Sequence, residues 1–322
     1  MNEATAAFSL SICHLRFTVT AQTIIHFGPQ AGAQLRGALW SALSQFACSD
    51  PMATHQPNHA SHCPLCRLVA LETADSARGR NPARPFAIQP PLENWDGYYA
   101  PGKTFQFGIS LFGDTGELIP YIVQAVYRMG QIGVGYGRGR FVLEQAAQVN
   151  PLVGSETPLL EAGRFVASAA VPLTTEHIAH AAAGLPADIL HLRFLTPTQL
   201  THHKKLVNRP DFTVLLARLL ERCQSLEETY SPQPSPQELW RTRYLHLTQA
   251  TDAVQLVDDR TQWAKAYSGS RRSNAVSSIS GFVGEAVYRG NLTTFREWLV
   301  WGQSLHVGKN AVKGNGWYQI LL

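Results

Sequence analysis

Leu305-His306-Val307-Gly308-Lys309-Asn310-Ala311-Val312-Lys313-Gly314-Asn315-Gly316-Trp317-Tyr318 joins an amphipathic segment, Asn291 to Leu305, to a short apolar one, Trp317 to Leu322. Glycines let a backbone turn with φ > 0 and bring its N–H groups close to an anion. Lys309 and Lys313 bring positive charge to the same loop, and a histidine moves protons near neutral pH. A phosphodiester is the obvious ligand for such a loop, and an RNA phosphodiester an obvious substrate. The same order of parts occurs once before. Glu117 to Met129 has helical spacing (Ile119, Ile122, Val123, Val126, Tyr127), glycines follow at 130, 133, 135, 137 and 139, and Arg140 to Val149 alternates as a strand does.

Outward from these two loops, each half reads as the same unit. In the first, Phe8 to Ala21 is a strand, Ala31 to Phe46 a helix, Pro85 to Pro90 and Lys103 to Phe112 strands, and then come the helix, loop and strand just given. In the second, Ile189 to Thr196 is a strand, Asp211 to Leu226 a helix, and Trp263 to Ser268 and Gly281 to Tyr288 strands. The helix Asn291 to Leu305, with Asn291 as its N-cap, and the last strand complete it. The order β-α-β-β-α-β predicts an α+β fold of two tandem ferredoxin-like (RRM-like) domains, each with a Gly-rich loop before its last strand. Asn150 to Gly163, rich in Gly, Pro, Ser and Thr, places the boundary near 155, giving domains 1–155 and 156–322 with a Cys/His-rich insertion at about 47–80.

At 322 residues the chain can bury two cores. The net charge of +4 is unevenly placed: from Arg260 onward eight Lys and Arg face two acids, a net of +6, so the rest sums to −2. A polyanion-binding face in the second half fits that asymmetry, as does a solvated basic surface. Met1 to Ala7 does not read as a secretory signal, and no apolar run approaches the ~18 residues of a membrane span. Five cysteines, three of them clustered, suit a reduced, cytoplasmic protein better than a disulfide framework.

Gly97-Tyr-Tyr-Ala-Pro-Gly102-Lys103-Thr104 matches a P-loop formula, but a strand follows it where a P-loop opens a helix. The glycines of 130–139 do not have dinucleotide-binding spacing either. With Arg138 and Arg140 that loop suits a nucleic-acid backbone, the alternative being a tight packing turn. Tyr267-Ser-Gly-Ser-Arg271-Arg272 suits stacking and phosphate contacts on single-stranded RNA, and Lys313 adds another cation. Cys48, Cys63 and Cys66 accompany His55, His59 and His62. Cys63-Pro-Leu-Cys66 is half of a structural zinc site that one histidine, His62 being the choice here, would complete; free thiols are the equal alternative. His26, between the first strand and first helix, is a second candidate acid/base or a structural residue. His202-His203-Lys204-Lys205 reads as a solvated basic turn.

Taken together, Leu35-Arg36-Gly37-Ala38-Leu39 with the cysteine insertion, Tyr99-Ala-Pro-Gly102, Phe107 to Gly113, Gly133 to Phe141, Gly281-Phe-Val-Gly284, Tyr288-Arg-Gly290, His306-Val-Gly-Lys309 and Gly314-Asn-Gly316 resemble the RAMP superfamily. Within it they resemble the CRISPR-associated endoribonuclease that processes precursor CRISPR RNA. The resemblance implies cleavage of CRISPR repeat RNA without a catalytic metal. The 2′-hydroxyl attacks the adjacent phosphate, leaving a 2′,3′-cyclic phosphate and a 5′-hydroxyl. His306 would carry the proton and Lys309 the developing charge. His26 stands second, at the place where many relatives keep their catalytic histidine. Other CRISPR-associated proteins are further implied partners. The alternative from a different class is a non-catalytic RNA-binding subunit of a CRISPR effector complex. A zinc-containing DNA-binding regulator is disfavoured by the lack of a helix-turn-helix or of two full cysteine pairs.

Overall fold

The computed structural model describes residues 8–48, 50, 59, 62–69, 83–94, 96–161, 163–166, 169–270 and 275–322. It divides into two units, one of residues 11–172 and the other of residues 173–322 together with 1–10.

In the first unit the strands are β1 (Ile12–Ala21), β2 (Phe86–Gln89), β3 (Thr104–Phe112) and β4 (Phe141–Asn150), and the helices are α1 (Ala31–Leu43) and α2 (Ile119–Ile132). Their order in the sheet is β2-β3-β1-β4, all antiparallel, with Ser155–Pro158 added outside β4. This is the ferredoxin-like arrangement, with the first strand central. Leu15, Phe17 and Val19 of β1 are fully buried, as an alternating strand with one face on helices requires. Both helices cover that face. α2 buries Ile119, Ile122, Val123, Val126 and Met129, and α1 buries Leu35, Leu39 and Leu43. The unit extends past the Gly- and Pro-rich stretch to Pro172, beyond the boundary expected near 155. Hydrogen bonds bind that extension to β4: Leu159 N–H donates to Ala146 O, Gln148 Nε2 to Ala169 O, and Val171 N–H to Gln148 Oε1.

In the second unit β5 (Ile189–Thr198), β6 (Val254–Ala264), β7 (Gly281–Gly290) and β8 (Tyr318–Leu321) give the order β6-β7-β5-β8, again antiparallel, with α3 (Phe212–Tyr230) and α4 (Arg296–Leu305). The two sheets have the same topology, so the chain holds two tandem ferredoxin-like units. Two details differ from the sequence reading. The second strand is Val254–Ala264, while Tyr267–Ser270 pairs with Ala275–Ser278 as a separate hairpin. Asn291 does not cap α4; its Oδ1 accepts from Thr293 N–H in the turn before a short 3-10 segment, and α4 begins at Arg296. His203 and Lys204 both have positive φ at the tip of the hairpin Leu200–His202 with Lys205–Val207, the backbone of a tight hairpin turn.

One core residue makes the first unit acid-sensitive. His14 in β1 is buried, its Nδ1 lies 2.8 Å from Ser110 Oγ, and burial lowers its pKa from 6.5 to about 4. Between those values the unfolded chain holds a proton that the folded one lacks, so stability present above pH 6.5 is lost as pH falls toward 4. The loss is about 3 kcal/mol at 1.36 kcal/mol per pKa unit. Denaturant melts at pH 7 and pH 4.5 check this: His14→Gln, neutral at both, is expected to show a correspondingly smaller pH dependence.

Candidate active site

The two histidines singled out by the sequence occupy opposite environments. His26 is exposed. Ile25–His26 pairs with Tyr98–Tyr99, and a further bridge joins His26 to Tyr136. The imidazole centroid is 5.5 Å from the Tyr136 ring and 6.3 Å from the Tyr98 ring, both edge-on. Those two tyrosines are 53 % and 42 % exposed, so the histidine sits in an open aromatic cleft. Gln30 Nε2 donates to the Tyr136 hydroxyl and fixes one wall. Below the cleft Phe27, Tyr99 and Phe105 pack together, Tyr99 stacked on Phe105 at 4.1 Å, which holds the short pair of strands to the core.

The loop 133–140 explains itself from the same place. Tyr136 N–H donates to His26 O, and Val134 and Gly139 exchange backbone hydrogen bonds. A Cβ on Gly135 would lie 2.6 Å from His26 O, and one on Gly139 2.1 Å from Ile24 O. These glycines are therefore needed so that the loop can lie flat against the strand carrying His26. Packing accounts for the glycines, and the side chains of Tyr136, Arg138 and Arg140 remain exposed beside them. Arg138 itself has φ 54°, an αL position in the tip of the loop.

His306, the first choice from sequence, lies in the core of the second unit at 0 % exposure. It follows the last residue of α4 with φ 61° and ψ 159°. Its ring stacks on Trp317 (5.9 Å, 5° between planes), and its Nδ1–H donates to Asn315 O at 3.2 Å. The loop around it is held shut. Val307 N–H donates to Gly316 O, Gly316 N–H to Pro197 O, and Asn315 Nδ2 to Ile279 O. A Cβ on Gly316 would stand 1.8 Å from Val307 O, so this glycine too serves close backbone approach. No RNA phosphate reaches a buried ring without unpacking it, whereas His26 is open to solvent. Lys309 is exposed, Lys313 is half-buried, and Arg271 and Arg272 lie outside the described residues. His306→Ala is expected to cost about 2–4 kcal/mol, as other large-to-small core changes do, while the folded fraction keeps the parent pH–rate profile. Thermal melts beside cleavage rates at several pH values check it.

The cysteine cluster is assembled, with one change from the sequence reading. The ligand atoms of Cys48, His59, Cys63 and Cys66 all lie within 4.8 Å of one another. His62, chosen from sequence, is exposed and outside the group, and His55 lies outside the described residues. The helical turn Pro64–Leu68 places Cys66 beside Cys63, while His59, one turn earlier, accepts Cys63 N–H on its carbonyl. Burial first, then the neighbouring Cys63 thiol, pushes the Cys66 thiol well up.

Sequence comparisons agree with the two halves. One family profile, the AF_1859 N-terminal domain, matches residues 10–171; a second, the CRISPR-associated endoribonuclease Cas6, matches residues 192–318. The second unit thus carries the Cas6 match, which supports an endoribonuclease of CRISPR RNA processing. No curated protein matches the chain in sequence. Solved Cas6 structures share its fold at low identity. A Cas6 product complex superposes with TM-score 0.59 and 16 % identity over 98 % of this chain and 100 % of that one. Thermus thermophilus Cas6 does so at 0.56 and 15 % over 98 % and 100 %. The partial Cas6-RT-Cas1–Cas2 complex gives 0.60 and 12 % over 99 % of this chain and 47 % of the other. Among the described residues no helix is long and apolar enough to cross a membrane.

The site residues that sequence reasoning missed are Tyr98 and Tyr136. Each has a glycine directly beside it, Gly97 for Tyr98 and Gly135 and Gly137 for Tyr136.

Proposed function

We propose that this chain cleaves CRISPR repeat RNA by attack of a ribose 2′-hydroxyl on the adjacent phosphate, with no metal ion in the reaction and with His26 as the proton-transfer residue. The observation that carries the reading is the exposed imidazole of His26 between Tyr98 and Tyr136, on the strand clamped by the arginine-bearing loop. In this step the 2′-oxygen forms a bond to phosphorus as the bond to the 5′-oxygen breaks. One proton leaves the 2′-hydroxyl and one reaches the departing 5′-oxygen, and the products are a 2′,3′-cyclic phosphate and a 5′-hydroxyl. His26 carries one of those protons. The exposed tyrosines stack on bases flanking the cut and hold the ribose in line with the leaving group. Arg138 and Arg140 meet the backbone phosphates and the charge that grows on the non-bridging oxygens. Lys309, Lys313, Arg271 and Arg272 supply the second unit's contacts to the same RNA, whose sequence-independent part weakens with salt.

The test is incubation of the purified chain with repeat RNA in EDTA and analysis of the product ends. A single cut with a cyclic-phosphate end supports the reading. Cleavage that returns only when a divalent ion is added, or 3′-hydroxyl ends, removes it. Tight binding with no cut shifts the chain to an RNA-holding role, and association with other CRISPR-associated proteins is then the activity to assay.

A further inference from the structure

We propose that Cys48, His59, Cys63 and Cys66 hold one zinc ion, and that this ion is a structural tie in the first unit remote from the chemistry. The donor set is three thiols and one imidazole, converging within 4.8 Å. A tetrahedral zinc with Zn–S of about 2.3 Å and Zn–N of about 2.0 Å separates its ligand atoms by roughly 3.5–3.8 Å, so a contraction of less than about 1 Å closes the shell. Cys48 Sγ is already 3.4 Å from His59 Nε2, which makes that nitrogen the ligand atom. Four protein ligands leave no open position, as in structural rather than catalytic zinc sites. Soft thiolates with one imidazole select zinc over magnesium or calcium, which require oxygen.

What the ion joins can be followed along the chain. Cys48 lies just beyond the C-terminal end of α1, and Cys63 Sγ donates to Ala47 O at that same end. Cys66 belongs to the turn Pro64–Leu68 and Cys63 precedes it as N-cap; Arg67 of that turn pairs with Glu117 and donates to Asp114 O, in the segment leading into α2. The ion therefore fastens the end of α1 to the segment leading into α2. His26 precedes α1 at the helix's other end, and the helix runs from Ala31 to Leu43. At 1.5 Å per residue that is about 20 Å of separation, too far for the ion to polarise a phosphate held at His26.

The experiment is elemental analysis of the full chain purified without chelator, followed by removal of the metal with a thiol-reactive mercurial and refilling with Co(II). One zinc per chain is expected, with the visible d–d bands of a tetrahedral cobalt–thiolate site on refilling. His59→Ala is expected to lose zinc on dialysis while His62→Ala keeps it, and stripping the metal to lower Tm by about 5 °C or more. The cut in EDTA by protein that retains its zinc is expected to stay at full rate. Absence of zinc in the wild-type protein, iron in its place, a disulfide within the three cysteines, or zinc lost by His62→Ala and kept by His59→Ala each overturns the assignment. If substituted chains fail to fold, the wild-type metal content and cobalt spectrum still decide it. None of these results bears on which histidine cuts RNA.

Discussion

His26→Ala is expected to slow single-turnover cleavage of repeat RNA by about 10²–10⁴-fold, the range for removing a positioned proton-transfer group. Affinity for the uncleaved RNA should stay within a few-fold, because the proposed mode of binding gives the contacts with backbone and bases to the arginines and tyrosines around the cleft, not to the imidazole. The substitution removes an exposed ring, so Tm should hardly move, and this separates it from His306→Ala, where stability falls and chemistry persists. Tyr136→Phe provides a graded control. It keeps the aromatic wall but loses the hydroxyl that accepts from Gln30 Nε2, so its effect should be smaller than that of His26→Ala. Full activity in His26→Ala with none in folded His306→Ala would return the role to the buried residue and require that the loop around Trp317 open when RNA binds.

Glu227→Ala should destabilise the second unit by about 3–5 kcal/mol, the cost of breaking a buried charged network by removing one member. The carboxylate is 1 % exposed. Its Oε2 accepts from Trp240 Nε1 at 2.7 Å and Ser235 N–H at 3.2 Å, and its Oε1 from Ser235 Oγ at 3.2 Å. Beside it the Arg243 guanidinium lies over the rings of Trp240 (4.5 Å) and Trp298 (5.3 Å). Burial lowers the pKa of Arg243, and the negative charge of Glu227 is the larger of the influences that raise it again. Without Glu227 an indole N–H and a serine hydroxyl lose their acceptor, and a buried cation loses its compensating charge. A fall in Tm of about 10 °C is the expected reading for a unit of this size. Glu227→Gln, which keeps an acceptor for Trp240, should fall less. Equal melting of Glu227→Ala and wild type would show that water replaces the network at no cost.

Most of the fold was legible because its signals are local. β1 and β3 alternate, α1 and α2 place apolar residues at helical spacing, and glycine-rich loops precede β4 and β8, so one topology satisfies both halves. β6 departs from the expected Trp263 to Ser268 because it is an edge strand. Asp258, Asp259 and Arg260 interrupt its apolar pattern, and the register shifts between Leu256 and Asp258. Edges of this kind tolerate charges and bulges that a central strand excludes. The helix Gln237–Ala250 lacks a clean apolar stripe for a related reason, since its buried side includes Arg243 beside Trp240 and Leu247.

The site was harder to read than the fold. A histidine among glycines and lysines has the composition of an exposed loop, and nothing within Leu305 to Tyr318 reveals that Trp317 and the carbonyls of Pro197 and Ile279 close over it. His26 stands out in sequence only by position, because its aromatic walls come from residues 98 and 136, far apart along the chain. The exchange of His62 for His59 follows from the same limit. Spacing shows that a histidine near Cys63 is available, whereas which one converges depends on how the turn before Pro64 runs.

Phe8 has its ring centroid 4.9 Å from Trp301, 5.7 Å from Trp298 and 6.0 Å from Trp240, and Ser9 N–H reaches Glu227 Oε1. Residues made before 11–172 thus complete the unit made after it. The stretch that carries Phe8 must wait, unpartnered, through synthesis of all of residues 11–172 before its indole nest exists, and the nest in turn cannot close without it. Expressed on its own from Leu173, the second unit would present three tryptophans around a gap the size of a phenyl ring. The linear order of the gene and the order of assembly are different, and any division of this chain for separate study has to carry its first dozen residues with its last half.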